Sequence, residues 1–185
     1  MTERFSAALA YANDLHRYQR RKGSSVPYVS HLLSVTALVM EAGGSEDECI
    51  AALLHDAVED QGGESTADEI RLRFGGEVAR IVGACSEDKS AGRTWIERKR
   101  SAVSKVAGTD ASVRLVLTAD KLHNIRSVIA EHAKIGDVIW WRFGGGREGT
   151  LWYYRAMADA IDKAGGSELV RELRAAVEKL EALAD

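Results

Sequence analysis

The sequence predicts an all-α protein, a single bundle of about eight helices. Three observations carry this. Pro27 is the only proline in 185 residues, and a chain so poor in helix breakers favours helices throughout. Apolar residues recur at intervals of three and four. No segment sustains the alternation of a half-buried strand. A mass of 20.1 kDa suits one domain, residues 1–185, around one core.

The elements follow in order. Phe5, Ala8, Leu9, Ala12 and Leu15 mark a first amphipathic helix. RRKGSSVPY is a polar loop. Residues 31–42, HLLSVTALVMEA, are apolar on nearly every side and read as a buried central helix, ended by Gly43 and Gly44. Ser45 with Glu48 forms a capping box that opens a helix over 46–60, and Thr66 with Glu69 opens another. FGG at 74–76 stops that one. Helices are expected over 77–86 and 95–107, around the charged turn SEDKSAGRT. Asp110 can cap a long helix with Val113, Val116, Leu117, Leu122, Ile125, Val128 and Ile129 inward. Residues 148–164 and 167–183 complete the chain, divided by Gly165, Gly166 and a Ser167 cap.

Composition excludes several functions. The chain is 45% hydrophobic and 29% charged, which fits neither a disordered nor a fibrous protein. A net charge of −3 argues against a protein devoted to coating nucleic acid. No apolar run approaches a membrane span. Glu3 and Arg4 fall where a secretion signal needs apolar residues. Cys49 and Cys85 form no CxxC pair and read as reduced thiols of a cytoplasmic protein.

Charged residues inside apolar helices are the informative anomaly. In AALLHDAVED, residues 51–60, a helix places Glu59 four residues after His55 and Asp60 four after Asp56. In VLTADKLHNI, Asp120 and Asn124 share one face. His31 stands at the mouth of the most apolar helix. A buried carboxylate needs a compensating charge, and a divalent metal is the economical one. His31, His55, Asp56 and Asp120 offer two imidazole nitrogens and two carboxylate oxygens, a set that suits Mn²⁺, Fe²⁺ or Zn²⁺. His123 lies about 300° around the helix from Asp120 and is left out. His16 and His132 are spare.

The order H…HD…D resembles the signature of the HD-domain phosphohydrolase superfamily. HRYQRRKGSSVPYVSH at 16–31, AALLHDAVEDQ at 51–61, FGGEVARIV at 74–82, ERKR at 97–100 and ADKLHNIRS at 119–127 are similar to the hydrolase domain of RelA/SpoT-type alarmone enzymes. The likeness is greatest to the stand-alone small alarmone hydrolases, since no synthetase or regulatory segment is expected here. The resemblance implies metal ligands at His31, His55, Asp56 and Asp120 and a catalytic pair at Glu59 and Asp60. It implies nucleotide contacts at Arg21, Lys22, Asn124, Ser127 and Lys89. Three features depart from the pattern. Leu32 replaces a proline after His31. Ala57 and Gln61 replace threonines around the Glu-Asp pair. The loop from Lys22 to Pro27 differs by one residue from some relatives.

The chemistry so implied is metal-assisted phosphoryl hydrolysis, in which a metal, Mn²⁺ first among the candidates, lowers the pKa of a water towards about 7. The bond broken in the family joins pyrophosphate to the 3′ oxygen of guanosine tetra- or pentaphosphate. Arg17, Arg20, Arg21 and Lys22, and separately Arg93, Arg98, Lys99 and Arg100, supply local positive charge for such an anion. The segment IWWRFGGGREGTLWYY at 139–154 has two readings. It is a lid that brings Arg147 to phosphate and Tyr153 to the base, or it is an aromatic anchor for the last helices. The expected partner is a small nucleotide, with no nucleic acid and no membrane, and self-association is left open. An HD phosphatase for another nucleotide such as NADPH, and a catalytically silent nucleotide-binding module, are the alternatives.

Overall fold

The structure is a computed structural model that describes residues 1–87 and 92–183. Among the described residues there are ten α-helices, two 3-10 turns and no strand. One isolated bridge, Arg20 to Pro27, closes the polar loop. The chain divides into two compact units, Met1–Asp88 with Asp110–Ala119, and Lys89–Thr109 with Asp120–Asp185.

The first unit holds α1 (Glu3–Leu15), α2 (Val29–Glu41), α3 (Glu46–Leu54), α4 (Ala57–Gln61), α5 (Glu64–Phe74) and α6 (Gly76–Cys85). Helix α8 (Ala111–Ile135) begins there. The central element is α3, not α2. Every residue from Cys49 to Leu54 is fully buried, because α1, α2 and α6 all pack on it. Helix α2 keeps Leu32, Val35 and Val39 inward but exposes Leu33 and Met40. Its apolar composition therefore overstates its burial.

The caps at Ser45 and Asp110 are as the sequence predicts. Ser45 accepts from Glu48 N while Glu48 reaches back to Ser45 N, a complete capping box. Asp110 accepts from Val113 N at 3.0 Å and also pairs with Arg80 of α6. These donors hold its carboxyl below the usual range, the amide first. Thr66 is different. It lies inside α5, where its hydroxyl donates to Gln61 O at 3.2 Å. The expected helix over 46–60 is interrupted at His55 and Asp56, which end α3 and begin α4.

The second unit holds α7 (Trp95–Lys105), a 3-10 turn (Val106–Gly108), the rest of α8, a second 3-10 turn (Gly136–Arg142), α9 (Gly146–Ala164) and α10 (Glu168–Ala182). Helix α9 packs against α7, α10 and both turns. Thr94 with Glu97 forms a second capping box and Ser167 caps α10. The glycines of 144–149 have a structural purpose. A Cβ at Gly145 would lie 2.6 Å and 2.9 Å from Trp95 Cζ3 and Cζ2, so the backbone there gives the indole its seat. Trp140, Tyr153 and Tyr154 are buried, as the anchor reading requires, whereas Trp141 is exposed.

Gly145→Ala tests the seat. The added methyl must displace the indole, and overpacking of this kind costs about 1–3 kcal/mol. Urea denaturation should show a loss in that range, largely recovered when Trp95→Leu is added.

Candidate metal centre

Three candidate ligands meet in the first unit. His31 lies in the first turn of α2, His55 closes α3 and Asp56 precedes α4. Their donor atoms all lie within 4.8 Å of one another. The two imidazoles pack edge to face, with centroids 5.2 Å apart, and both are buried. Asp56 Oδ2 stands 3.0 Å from His55 Nε2 and 3.6 Å from His31 Nε2.

Local hydrogen bonding fixes what these atoms can do. His55 Nδ1 lies 2.9 Å from Ala52 O. A carbonyl only accepts, so Nδ1 carries the proton and Nε2 of the neutral ring presents a lone pair. That lone pair faces a carboxylate oxygen which already accepts from the Tyr28 hydroxyl at 2.6 Å. Two Lewis bases 3.0 Å apart need a proton or a metal cation between them. A divalent metal fits the donor set of nitrogen and oxygen. The same bond explains the interruption at residue 55: the imidazole takes a backbone carbonyl three residues back, and the chain turns out of α3.

The expected catalytic pair follows directly on α4. Glu59 Oε2 accepts from Glu87 N at 2.9 Å, and Asp60 Oδ2 accepts from Gln19 Nε2 at 2.9 Å. Arg21 lies over the Tyr28 ring at 5.7 Å, and Lys22 is exposed in the polar loop. The first unit thus brings together His31, His55 and Asp56, with Glu59 and Asp60 one turn on.

Asp120, Asn124, Ser127 and Tyr153 belong to the second unit. Asp120 is buried and accepts from Asn124 Nδ2, the predicted pair on one face. It also accepts from Lys121 Nζ at 2.5 Å. Burial opposes the Lys121 charge, but the adjoining Asp120 carboxylate outweighs it and holds the ammonium well above its ordinary pKa. Ser127 donates to His123 O within its own helix. Tyr153 is buried, with the Lys99 ammonium 4.6 Å from its ring centre and that of Lys121 at 6.0 Å. Lys89 lies outside the described residues.

Sequence reasoning missed four residues around these groups: Tyr28, Gln19, Lys121 and His16. The last is not spare but buried, and stacks on Tyr28 with centroids 5.2 Å apart. Its signal was the i, i+3 spacing to Gln19 in HRYQ.

An all-helical chain with a buried His and a His-Asp pair on successive helices belongs to the HD domain family. The family profile matches residues 8–151. Among curated relatives, the guanosine-3′,5′-bis(diphosphate) 3′-pyrophosphohydrolase MESH1 of Mus musculus is 38% identical over 124 residues, covering 65% of this chain and 67% of that protein. A solved structure of a metazoan SpoT ortholog that hydrolyses ppGpp superposes with a TM-score of 0.78 at 25% identity, covering 97% of this chain and 96% of the other. The Listeria monocytogenes EGD-e protein lmo0812 superposes with a TM-score of 0.72 at 31% identity, over 80% of this chain and 97% of that one.

Two predictions test this geometry. Tyr28→Phe removes the hydroxyl that steadies Asp56, and chelator competition should show divalent-metal affinity lowered by about 10–100-fold. The second concerns pH. Burial, partly offset by Gln19 and by the charges of Asp56 and Asp60, lowers the His16 pKa below its ordinary 6.5. Below pH 6.5 the unfolded chain therefore binds a proton that the folded ring refuses, and stability falls as pH drops towards the lowered value. His16→Asn should flatten that part of the melting-temperature profile.

Proposed function

We propose that this protein is a metal-dependent hydrolase of guanosine tetra- and pentaphosphate, releasing pyrophosphate from the 3′ position to leave GDP or GTP. The cluster of His31, His55 and Asp56, with Glu59 and Asp60 one turn later, is the observation that carries it. The relatives named for that reaction support the choice of substrate. All of residues 1–185 serve this one function. Asp120 is proposed as the ligand that completes the set, because it is buried, anionic and third in the order H…HD…D.

Mn²⁺ is the proposed metal, with Fe²⁺ and Zn²⁺ compatible with the donors. When bound, the metal supplies Lewis acidity at the phosphoryl group and a water acidic enough to attack near neutral pH. The side chains supply the rest. Glu59, steadied by the Glu87 amide, takes the proton as the water oxygen bonds to phosphorus. The phosphorus bond to the 3′ oxygen breaks, and that oxygen receives a proton from the Glu59 and Asp60 carboxyl pair. Arg21 and Lys22 bind the phosphates or the base. Asn124, Ser127, Lys89 and Tyr153 are proposed contacts to the nucleotide.

Among the described residues, no helix is long and apolar enough to cross a membrane. Cys49 and Cys85 are thiols, which fits the proposed cytoplasmic setting.

A product assay with Mn²⁺ checks the reading. Wild-type protein should release pyrophosphate and GDP from guanosine tetraphosphate, and Asp56→Ala should lose metal and activity together. Orthophosphate from NADPH alone would transfer the function to another nucleotide. Glu59→Gln should retain metal and slow turnover by about 10²–10⁴-fold; unchanged turnover removes Glu59 from the chemistry.

A further inference from the structure

A string of polar side chains runs from the end of α1 to the Asp60 carboxylate, and neither the metal nor the nucleotide accounts for it. His16 is 2% exposed. Its Nδ1 lies 2.6 Å from Gln19 Oε1. A carboxamide oxygen only accepts, so the proton is on Nδ1. Gln61 Nε2 donates to the same oxygen at 2.5 Å. It also stands 3.5 Å from His16 Nδ1, where two proton-bearing nitrogens gain nothing from each other.

With Oε1 engaged by two N–H groups, Gln19 must turn its NH2 the other way. Its Nε2 then donates to Asp60 Oδ2 at 2.9 Å. The flipped amide would set an oxygen against the carboxylate and an NH2 against two N–H groups. One orientation alone satisfies all four side chains. The backbone pins Gln19 as well, since its N–H donates to His16 O and its carbonyl accepts from Tyr28 N, both at 3.0 Å. His16 Nε2 has no partner among the described residues, so a second ring proton would find no acceptor and the ring is neutral. Burial pushes its pKa the same way.

Asp60 needs such support. It is exposed on α4, a helix of five residues. A proton-transfer group misplaced by about 1 Å loses about 10²-fold in rate. We propose that Gln19 is a positioning residue for Asp60, held in its single working orientation by His16 Nδ1–H and Gln61. Gln61 replaces the threonine that the motif resemblance leads one to expect, so this arm belongs to the present chain. The proposal rests on Asp60 as a member of the catalytic pair.

Its test has two arms. Nitrogen-15 spectra of the full chain, without metal or substrate, should show His16 protonated at Nδ1 and bare at Nε2. They should also show slow exchange of the Gln19 side-chain NH2 that Asp60→Ala abolishes. The opposite tautomer, or a Gln19 amide indifferent to Asp60→Ala, overturns the string. The second arm is kinetic. Gln19→Glu is isosteric and still accepts from His16 and Gln61, but it sets an anion against Asp60. With guanosine tetraphosphate and Mn²⁺ its kcat should fall about 10–100-fold, with KM and bound metal within twofold of wild type. His16→Phe should lose a similar factor. His16→Asn, whose amide can place an N–H near that of Nδ1, should recover to within about threefold of wild type. A rise in KM alone, loss of metal, or full kcat in Gln19→Glu overturns the positioning role. A wild-type protein that releases no pyrophosphate overturns the functional reading and the kinetic role with it, while the spectra still decide the string.

Discussion

The first unit is organised by one electrostatic requirement. Asp56 Oδ2 sits 3.0 Å from Nε2 of His55 and 3.6 Å from His31 Nε2, beside two buried imidazoles. Such crowding of lone pairs is stable only with a cation present, or with protons that water would otherwise hold. The surrounding architecture makes it unavoidable. Helix α3 is buried from Cys49 to Leu54, so the residue at its end cannot swing into solvent. The Ala52 carbonyl accepts the Nδ1 proton of His55. Tyr28 occupies part of the remaining capacity of Asp56. What remains is a fixed set of donors facing inward.

Much of this was legible in the sequence, for identifiable reasons. Ser45, Asp110 and Ser167 cap as read because a side-chain oxygen just before a helical run can accept from the amide three residues on, a short-range solution that needs no tertiary contact. His31, His55 and Asp56 were legible because ionisable groups in apolar helices demand compensation. The errors have a common cause. Thr66 has a capping pattern, but its hydroxyl donates to Gln61 O instead, within a helix that starts two residues earlier at Glu64. The break after Leu54 depends on an imidazole reaching its own backbone, which periodicity cannot show. Helix α2 looked central because composition counts apolar residues without counting the neighbours available to cover them.

The supporting residues were harder to read than the ligands. A ligand stands out as a charge among apolar neighbours. Gln19 sits in a loop of polar residues, and Tyr28 and His16 are ordinary types in ordinary settings. Lys121 adjoins Asp120 in sequence, and nothing in the local pattern shows that it is buried and ion-paired. The glycines of 144–149 carried an equally weak signal. Their use is to let Trp95 approach the backbone, a contact about fifty residues away in sequence. Features that depend on a distant partner are invisible to local pattern, however firmly they are fixed in the fold.

Helix ends explain why the chemistry falls where it does. Within a helix the backbone satisfies itself, and a side chain has only its neighbours to meet. At an end, carbonyls and amides are open to side chains, and the chain changes direction. His31 lies in the first turn of α2, His55 at the end of α3, Asp56 before α4, and His16 just past α1. Each can reach a backbone group or a neighbouring element that a mid-helix residue could not. Helix α4 is the consequence. Five residues are too few to be stable alone, so Glu59 and Asp60 take their orientation from outside it, through the Glu87 amide and the Gln19 carboxamide. The carboxylates of the proposed reaction are therefore placed by the packing of the first unit rather than by the helix that bears them.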